Sequence, residues 1–299
     1  MNLLSINDVK DDIPEILRLA RKFKAGSGPH KPLEGKSLAM IFQKSSTRTR
    51  VSFEVGMYEL GGNSLFLSAN ELQMGRGEPI SDTAKVLSRY VHGIMIRAIK
   101  HQDVVELSNE ATVPVISGLT DLEHPCQALA DMQTVLEKKG DFNGKFVYVG
   151  DGNNVCNSLL LICAYLGMDI SIACPKGYEP DNKIVNKAIA ISKDTGSDIL
   201  ITDDVEEAVS DGDVVYTDVW VSMGDEKEEA KRMEDFSKYQ VNSQLMALAK
   251  DDAIFMHCLP AIRGQEVTSE VIDGKNSVIV DQAENRLHAQ KAVLYHLLK

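Results

Sequence analysis

The chain has 299 residues, of which 43% are hydrophobic and 25% are charged, a length and composition that predict about two globular domains with a sizeable core. Its formal net charge of −12 at pH 7 excludes the extended basic face that binding to nucleic acid or to an anionic membrane requires. No apolar run reaches the ~18 residues that span a bilayer, and the acidic N-terminal stretch is unlike a signal peptide. We therefore expect a cytoplasmic protein whose anionic ligands are held in a local basic pocket.

Short β-rich runs alternate with helical patterns along the whole chain. The predicted strands cover residues 38–42, 64–67, 93–97, 113–117, 145–149, 169–173, 198–201, 213–217, 253–256 and 277–280. This alternation predicts the α/β class, with parallel sheets covered by helices on both faces. A long helix is expected at 125–138, and an amphipathic helix is expected at 284–298.

The polar stretch at 138–144 predicts a domain boundary near Lys139. Two doubly wound domains are expected, 1–139 and 140–299.

The five cysteines form no CxxC pair and are odd in number, so neither a disulfide framework nor a structural zinc site is indicated.

Gly150-Asp151-Gly152 follows a predicted strand, but Val155 stands where a dinucleotide fingerprint needs its third glycine. Residues 140–145 also lack the spacing of a P-loop. We expect no cofactor and no metal.

One corner between a strand and a helix carries an unusual set of hydrogen-bond donors. Residues 45–50, with the sequence Ser-Ser-Thr-Arg-Thr-Arg, lie between the strand at 38–42 and a helical pattern at 51–60. The first N–H groups of a helix have no intrahelical acceptor, and the helix dipole is positive there, so such a corner binds anions. Hydroxyl and guanidinium donors suit a phosphate. The alternative is an N-cap cluster with solvated arginines.

Further polar residues follow other predicted strands. They are Arg97, His124 with Gln127, Asn153 with Asn154, Asp218, and His257 with Cys258. Ligands of open α/β sheets bind beyond the carboxyl ends of the strands, so these side chains are candidates for one active site. Each alone could equally be a helix cap or a solvated residue.

Together these residues resemble the ordered signatures of the aspartate/ornithine carbamoyltransferase family, and in particular of its ornithine branch. The motifs are Ser46-Thr47-Arg48-Thr49, His124-Pro125-Cys126-Gln127, Asp218 with Ser222-Met223-Gly224, and His257-Cys258-Leu259-Pro260. The similarity continues through 73–79, 82–89 and 284–286, so it covers nearly the whole chain. The first two motifs are shared with aspartate carbamoyltransferases.

The resemblance implies a first domain that binds carbamoyl phosphate and a second that binds L-ornithine, with citrulline and phosphate as products. Carbamoyl phosphate would be bound by Ser46, Thr47, Arg48, Thr49, Arg97, His124, Gln127, Cys258, Leu259 and Arg286, and by Gln73 from a neighbouring subunit of a homotrimer. Ornithine would be bound by Asn154, Asp218, Ser222 and Met223. The helix at 284–298 would return to the first domain.

Elementary chemistry is consistent with these roles. The leaving phosphate gains negative charge, which Arg48 and Arg97 can stabilise. His124, beside arginines at a helix start, should be a neutral imidazole that donates to the carbonyl oxygen. Asp218 and Cys258 are candidates to orient the amine and to take its proton. We expect Arg97, His124, Asp218 and Cys258 to be the catalytic residues.

Three alternatives remain open on the sequence. Aspartate carbamoyltransferases lack the Ser222-Met223-Gly224 motif and need a basic site for a second carboxylate, whereas this chain offers Asp218. Putrescine and acetylornithine carbamoyltransferases share the phosphate motif and differ in the amine pocket. A non-catalytic amino-acid binder could keep the same fold.

Overall fold

The computed structural model describes residues 1–70, 72, 77–221 and 226–299. The chain divides into two compact units, the first comprising Met1–Gln133 and Glu284–Lys299, and the second comprising Thr134–Ala283. Each unit is built on a wholly parallel sheet with helical connections. The predicted fold class is confirmed, including the return of the last helix to the first unit.

The sheet of the first unit has four strands in the order β2-β1-β3-β4. Its strands are β1 (Ser37–Phe42), β2 (Asn63–Ser68), β3 (Gly93–Arg97) and β4 (Val115–Leu119). The helices that begin in this part of the chain are α1 (Ile13–Lys24), α2 (Thr47–Glu59), α3 (Ile80–Leu87), α4 (His101–Glu110) and α5 (Pro125–Lys139). Strand β3 is buried along its whole length. A Cβ atom on Gly93 would lie 2.6 Å from the Cδ2 atom of Leu298, so glycine lets the last helix approach this strand closely.

The sheet of the second unit has five strands in the order β7-β6-β5-β8-β9. Its strands are β5 (Lys145–Val149), β6 (Asp169–Ala173), β7 (Ile199–Thr202), β8 (Val214–Thr217) and β9 (Ile254–His257). The helices are α6 (Asn154–Leu166), α7 (Asn182–Thr195), α8 (Val205–Val209), α9 (Glu229–Asp235), α10 (Ser243–Met246), α11 (Ser269–Ile272) and α12 (Ile279–Leu298), the last ending within the first unit. Short 3-10 helices lie at Ile6–Val9, Glu226–Glu228 and Ser237–Tyr239.

The predicted strand at 277–280 is wrong. The segment makes only an isolated bridge, Phe255 to Ser277, and the Val278 N–H donates to the Phe255 carbonyl over 3.0 Å. The carbonyl of Val278 then accepts from the N–H of Gln282, which starts a helical turn. Helix α12 consequently begins at Ile279, earlier than the predicted residue 284.

Both sheets reverse their strand order at one point, β1 beside β3 in the first unit and β5 beside β8 in the second. The loops that leave two such strands run in opposite directions and open a crevice at their carboxyl ends, where ligands of doubly wound folds bind. The residues after these four strands are therefore the ones to examine.

Among the described residues, no helix is long and apolar enough to cross a membrane.

Candidate active site

Ser46 is the N-cap of helix α2 and lies four residues after the end of strand β1. Its backbone is extended and its Oγ atom accepts from the N–H of Thr49 over 3.2 Å, so the helix start is fixed by the serine side chain. The hydroxyl hydrogen of Ser46 is not used by this cap. The predicted donor corner of Ser46, Thr47, Arg48 and Thr49 thus lies at the switch point of the first sheet.

The two arginines of this corner have different surroundings. Arg50 is exposed, donates from Nε to Glu54 Oε1 over 2.9 Å, and lies 3.8 Å over the ring of Phe66. Arg48 is half-buried and close enough to His124 to lower that residue's pKa. Only Arg48 faces the cluster of predicted site residues.

Arg97 ends strand β3 and is almost fully buried. The register of β3 with β4 shifts between Ile96 and Arg97, which changes the direction of the backbone at this residue. Gln43, after β1, donates from its N–H to the Arg97 carbonyl over 2.9 Å, and its Oε1 atom accepts from the N–H of Ile99 over 2.7 Å. The backbone is thus held on both sides of Arg97.

His124 immediately precedes helix α5, is buried, and lies among arginines. Burial and then the guanidiniums of Arg286, Arg97 and Arg48 hold the pKa of His124 well below its ordinary value of 6.5. The imidazole is therefore neutral near pH 7, as the sequence predicts, and one ring nitrogen carries a hydrogen that it can donate.

Arg286, on helix α12, joins three parts of the first unit. Its Nη1 atom donates to Gln127 Oε1 over 2.6 Å, Nη2 donates to Thr49 Oγ1 over 3.2 Å, and Nε donates to Gln290 Oε1 over 2.9 Å. Gln127 also donates to Asp131 over 2.8 Å, so its amide orientation is fixed. These residues form a buried polar layer against residues 45–50, the predicted donor corner, which is called the phosphate corner below.

Asp218, at the end of strand β8, is the centre of the predicted residues in the second unit. One oxygen accepts from Asn153 Nδ2 over 2.9 Å, and the other accepts from the N–H of Val219 over 2.8 Å and from the Cys258 thiol over 3.1 Å. The carboxylate is buried, and these three donors compensate for its loss of hydration. Strands β5, β8 and β9 therefore bring Asn153, Asp218 and Cys258 together.

His257 is fully enclosed, and hydrogen bonds define its tautomer. Its Nδ1 atom accepts from the N–H of Leu259 over 2.9 Å, so the ring hydrogen lies on Nε2, which is 3.2 Å from Oε1 of the buried Glu266. The same Glu266 oxygen accepts from the N–H of Ile262 over 2.6 Å. Leu259 has a φ angle of +60°, a left-handed conformation that costs a non-glycine residue about 1–2 kcal/mol. The buried pair His257 and Glu266 holds the Cys258-Leu259-Pro260 turn in that conformation.

Donor atoms of Asp218, His257 and Cys258 lie within 4.8 Å of one another, a spacing that could hold a metal ion. Both ring nitrogens of His257 already have partners, so an ion at that histidine would have to displace Leu259 or Glu266. The geometry favours a hydrogen-bonded cluster.

Three predicted site residues, Gln73, Ser222 and Met223, lie outside the described residues. Asn154 is the first residue of α6 and lies beside Asn153, the cap of that helix, at the switch point of the second sheet.

Three residues that support the site were not predicted from the sequence. Gln43, Glu266 and Gln290 act through side-chain hydrogen bonds to Ile99, His257 and Ser52. Their polar side chains stand in unremarkable local patterns. Asn153, a candidate on the sequence, caps α6 and also donates to Asp218.

Comparisons with known families match both halves of the chain. Residues 1–137 match the model described as the carbamoyl-P binding domain of aspartate/ornithine carbamoyltransferase. Residues 143–297 match the model described as its Asp/Orn binding domain.

Individual relatives are similar over their full length. An ornithine carbamoyltransferase of Methanobrevibacter smithii is 68% identical over 100% of this chain and 99% of the relative. One of Methanothermobacter thermautotrophicus is 64% identical over 99% of this chain and 98% of its own length. The solved ornithine carbamoyltransferase of Pyrococcus furiosus superposes with a TM-score of 0.96 at 55% identity, covering 100% of this chain and 97% of that one.

Proposed function

The chain belongs to the aspartate/ornithine carbamoyltransferase family, and we propose that it transfers the carbamoyl group of carbamoyl phosphate to the side-chain amine of L-ornithine, giving L-citrulline and phosphate. The observation that carries this proposal is the pair of sheet switch points. One has the hydroxyl and guanidinium donors that suit a phosphate, and the other has a carboxylate that suits an ammonium group.

Carbamoyl phosphate is bound by the first domain, which we place at residues 1–139. Its phosphate is held by Ser46, Thr47, Arg48 and Thr49 at the N-terminus of α2, and by Arg97 at the end of β3. Gln127 and Arg286 support the carbamoyl end, and Cys258 and Leu259 supply further contacts from the second domain, residues 140–299. Arg48 lies in the first turn of α2, and Arg48 and Arg97 are both close enough to His124 to lower its pKa, which supports the assignment of the helix N-terminus and both guanidiniums to one anion.

Arg48 and Arg97 stabilise the transition state more than the ground state. The phosphate gains negative charge as its bond to the carbonyl carbon breaks, so the attraction to both guanidiniums increases along the reaction. One such pair at about 4 Å gains roughly 4 kcal/mol at an effective dielectric constant near 20. An arginine in bulk water would contribute about a quarter of that.

His124 stabilises the carbonyl oxygen, which becomes anionic in the tetrahedral intermediate. Its lowered pKa keeps the imidazole neutral, so it donates one hydrogen bond and does not compete with the arginines for the phosphate as a cation.

The nucleophile must be a neutral amine. An alkylamine with a pKa near 10.4 is neutral in only about one molecule in 2500 at pH 7, a cost of roughly 4.6 kcal/mol. Asp218 orients the ammonium group and accepts hydrogen bonds from it, and its donors Asn153, Val219 and Cys258 fix the carboxylate for that task. Asn154, Ser222 and Met223 bind the amino-acid end of ornithine.

The proposal is tested by measuring carbamoylation of L-ornithine, putrescine and L-aspartate under one set of conditions. We expect ornithine to be preferred about a hundredfold or more, because leaving a buried polar partner of the substrate unpaired costs a few kcal/mol. Equal turnover of putrescine contradicts the assignment, and turnover of aspartate would place the chain in the other branch of the family.

The active unit is a homotrimer in which Gln73 of one subunit completes the carbamoyl phosphate site of its neighbour. An apolar edge supports self-association, because Leu65 and Phe66 are exposed on the edge strand β2 and Tyr58 on α2 is 80% exposed.

Co-refolding of two inactive variants tests the shared site. Arg97→Ala and Gln73→Ala trimers should each be nearly inactive, and random mixing should restore about one site in four, because an intact Arg97 then meets an intact Gln73. No recovery, with mixed trimers confirmed by native mass measurement, would mean that Gln73 acts within its own chain or not at all.

The protein works in the cytoplasm, in the synthesis or the breakdown of arginine. None of the five cysteines, all of which the structure describes, is in a disulfide, which is consistent with a reducing compartment.

A further inference from the structure

Gln290, on helix α12, is fully buried and makes two hydrogen bonds to the layer beneath the phosphate corner. Its Oε1 atom accepts from Arg286 Nε over 2.9 Å, and its Nε2 atom donates to Ser52 Oγ over 2.8 Å. Arg286 and Gln290 are four residues apart, so they lie on the same face of the helix. Gln290 therefore joins Arg286 to helix α2 through one rigid amide.

Ser52 passes this connection to the backbone of the phosphate corner. Its single hydroxyl hydrogen is donated to the carbonyl of Arg48 over 2.5 Å, so its oxygen is available to accept from Gln290. A chain of two hydrogen bonds thus links the Gln290 amide to the residue that bears the phosphate-binding guanidinium.

The orientation of the Gln290 amide is determined by its neighbours. In the opposite orientation, Nε2 would face the Nε–H of Arg286, which can only donate. Oε1 would then face Ser52, whose hydroxyl would have to leave the Arg48 carbonyl to donate to it. Both changes lose a hydrogen bond in a place without solvent, which costs about 1–3 kcal/mol for each buried group left unpaired.

Arg286 carries the same constraint to helix α5. Because Gln290 holds Nε, the planar guanidinium can turn only as a unit, and Nη1 and Nη2 remain on Gln127 and Thr49. Gln290, acting through Ser52 and Arg286, therefore aligns the N-terminal turns of both α2 and α5.

We propose that Gln290 is a positioning residue for carbamoyl phosphate binding: it sets the Arg48 backbone through Ser52 and the Gln127 amide through Arg286. This inference rests on the proposed function of the first domain. Gln290 is fully buried against Arg286 and Ser52, so its effect on carbamoyl phosphate would pass through these two residues.

The test compares Gln290→Leu, which keeps the size of the side chain and removes both hydrogen bonds, with Lys291→Met. Lys291 is the next residue on α12 and pairs with Glu59 of α2, so its replacement removes a contact between the same two helices without touching the buried layer. We expect Gln290→Leu to raise the KM for carbamoyl phosphate about tenfold and to change the KM for ornithine less than about twofold, since a small misplacement of binding groups is costly. Lys291→Met should leave both values near those of the wild type.

Calorimetric titration with inorganic phosphate gives a readout that needs no turnover. Gln290→Leu should weaken phosphate binding about tenfold, in parallel with its KM for carbamoyl phosphate. Wild-type levels of phosphate binding in Gln290→Leu, or an equal loss in Lys291→Met, would overturn the inference while leaving the proposed function intact. Absence of citrulline formation by the wild type would overturn the function itself, whatever phosphate binding shows.

A second pair of variants covers the case in which Gln290→Leu does not fold. Ser52→Ala removes only the link to the Arg48 carbonyl, and Gln290→Glu keeps the acceptor for Arg286 while removing the donor to Ser52. Both should raise the KM for carbamoyl phosphate, and combining Ser52→Ala with Gln290→Leu, where that protein folds, should add less than the sum of the single effects. Unchanged KM values in both Ser52→Ala and Gln290→Glu would overturn the inference.

Discussion

The thiol of Cys258 donates a hydrogen bond to the carboxylate of Asp218, with 3.1 Å between sulfur and oxygen. A thiolate could not make this contact, because it would place two negative charges side by side. The sulfur is therefore a hydrogen-bond donor in this contact and the carboxylate is the acceptor. Under the proposed function, the thiol would orient Asp218 toward the ammonium group of ornithine.

The first prediction separates a donor role of Cys258 from a role as the base. Cys258→Ser keeps a hydrogen-bond donor and should retain most of the activity with ornithine, whereas Cys258→Ala should raise the KM for ornithine roughly tenfold, the usual value of a hydrogen bond to a charged group. Steady-state kinetics of both variants between about pH 6 and 10 check this.

The opposite result is equally distinctive. If the thiolate takes the ammonium proton, both variants lose turnover and the pH profile loses the ionisation of the thiol. If Cys258→Ala leaves the ornithine kinetics and their pH dependence unchanged, the thiol serves only in packing.

The second prediction concerns the protonation of His124. Its pKa lies well below 6.5, because of burial first and then of Arg286, Arg97 and Arg48, so the imidazole of the unliganded protein should remain neutral at pH 6. Nitrogen-15 NMR of labelled histidine measures this directly. An imidazole of His124 that titrates at its ordinary value would contradict the arrangement of the three arginines around it.

The same shift has a consequence for stability. Below about pH 6.5 the unfolded chain binds a proton at His124 that the folded protein excludes, so the free energy of unfolding falls as the pH decreases. Urea unfolding of the wild type and of His124→Gln at pH 5.5 and 7.5 isolates this contribution. The stability difference between the two pH values should be smaller in the variant, and an equal difference would show that His124 protonates alike in both states.

The third prediction distinguishes the two arginines of the phosphate corner. Arg48→Ala should lower turnover about a hundredfold or more, because it removes charge stabilisation from the transition state. Arg48→Lys should recover only part of this, because lysine lacks the planar fork of donors. Arg50→Lys keeps the pairing of that residue with Glu54 and should have turnover close to that of the wild type. An equal effect of the two lysine variants would contradict the different positions of these arginines.

The fourth prediction separates the contributions of the two hydrogen bonds of His257. Asparagine can place its side-chain oxygen where Nδ1 accepts from Leu259, and glutamine can place its nitrogen where Nε2 meets Glu266. If the position of Leu259 contributes to carbamoyl phosphate binding, the KM for carbamoyl phosphate should be about tenfold lower in His257→Asn than in His257→Gln. The reverse order would assign the main role to the contact with Glu266.

Much of the fold was predictable because buried parallel strands have a strong local signal. Strands β3, β5 and β6 begin and end at the predicted residues, while β4 lies two residues later than predicted. A strand was predicted at 277–280 because Val278, Ile279 and Val280 favour strands. The prediction was wrong because the pairing with Phe255 ends after one bridge and a helix follows.

The candidate site was predictable only at the level of residue identity. The sequence shows directly that Arg97, Asp218 and Cys258 stand at or just after strand ends and that Ser46 and His124 precede helices. The partners that orient them are different, since Gln290 and Glu266 become polar contacts of the site only when particular helix faces and loops pack together. Local patterns cannot reveal which buried amide or carboxyl meets which donor.

The order in which the two units can be completed follows from the return of the last helix. All of Thr134–Ala283 emerges from the ribosome before Glu284–Lys299, so the second unit is synthesised in full while the first still lacks Arg286 and Gln290. Nascent chains stalled before residue 284 has emerged should therefore bind carbamoyl phosphate more weakly than chains in which residues 284–299 have emerged, because they lack Arg286 and Gln290.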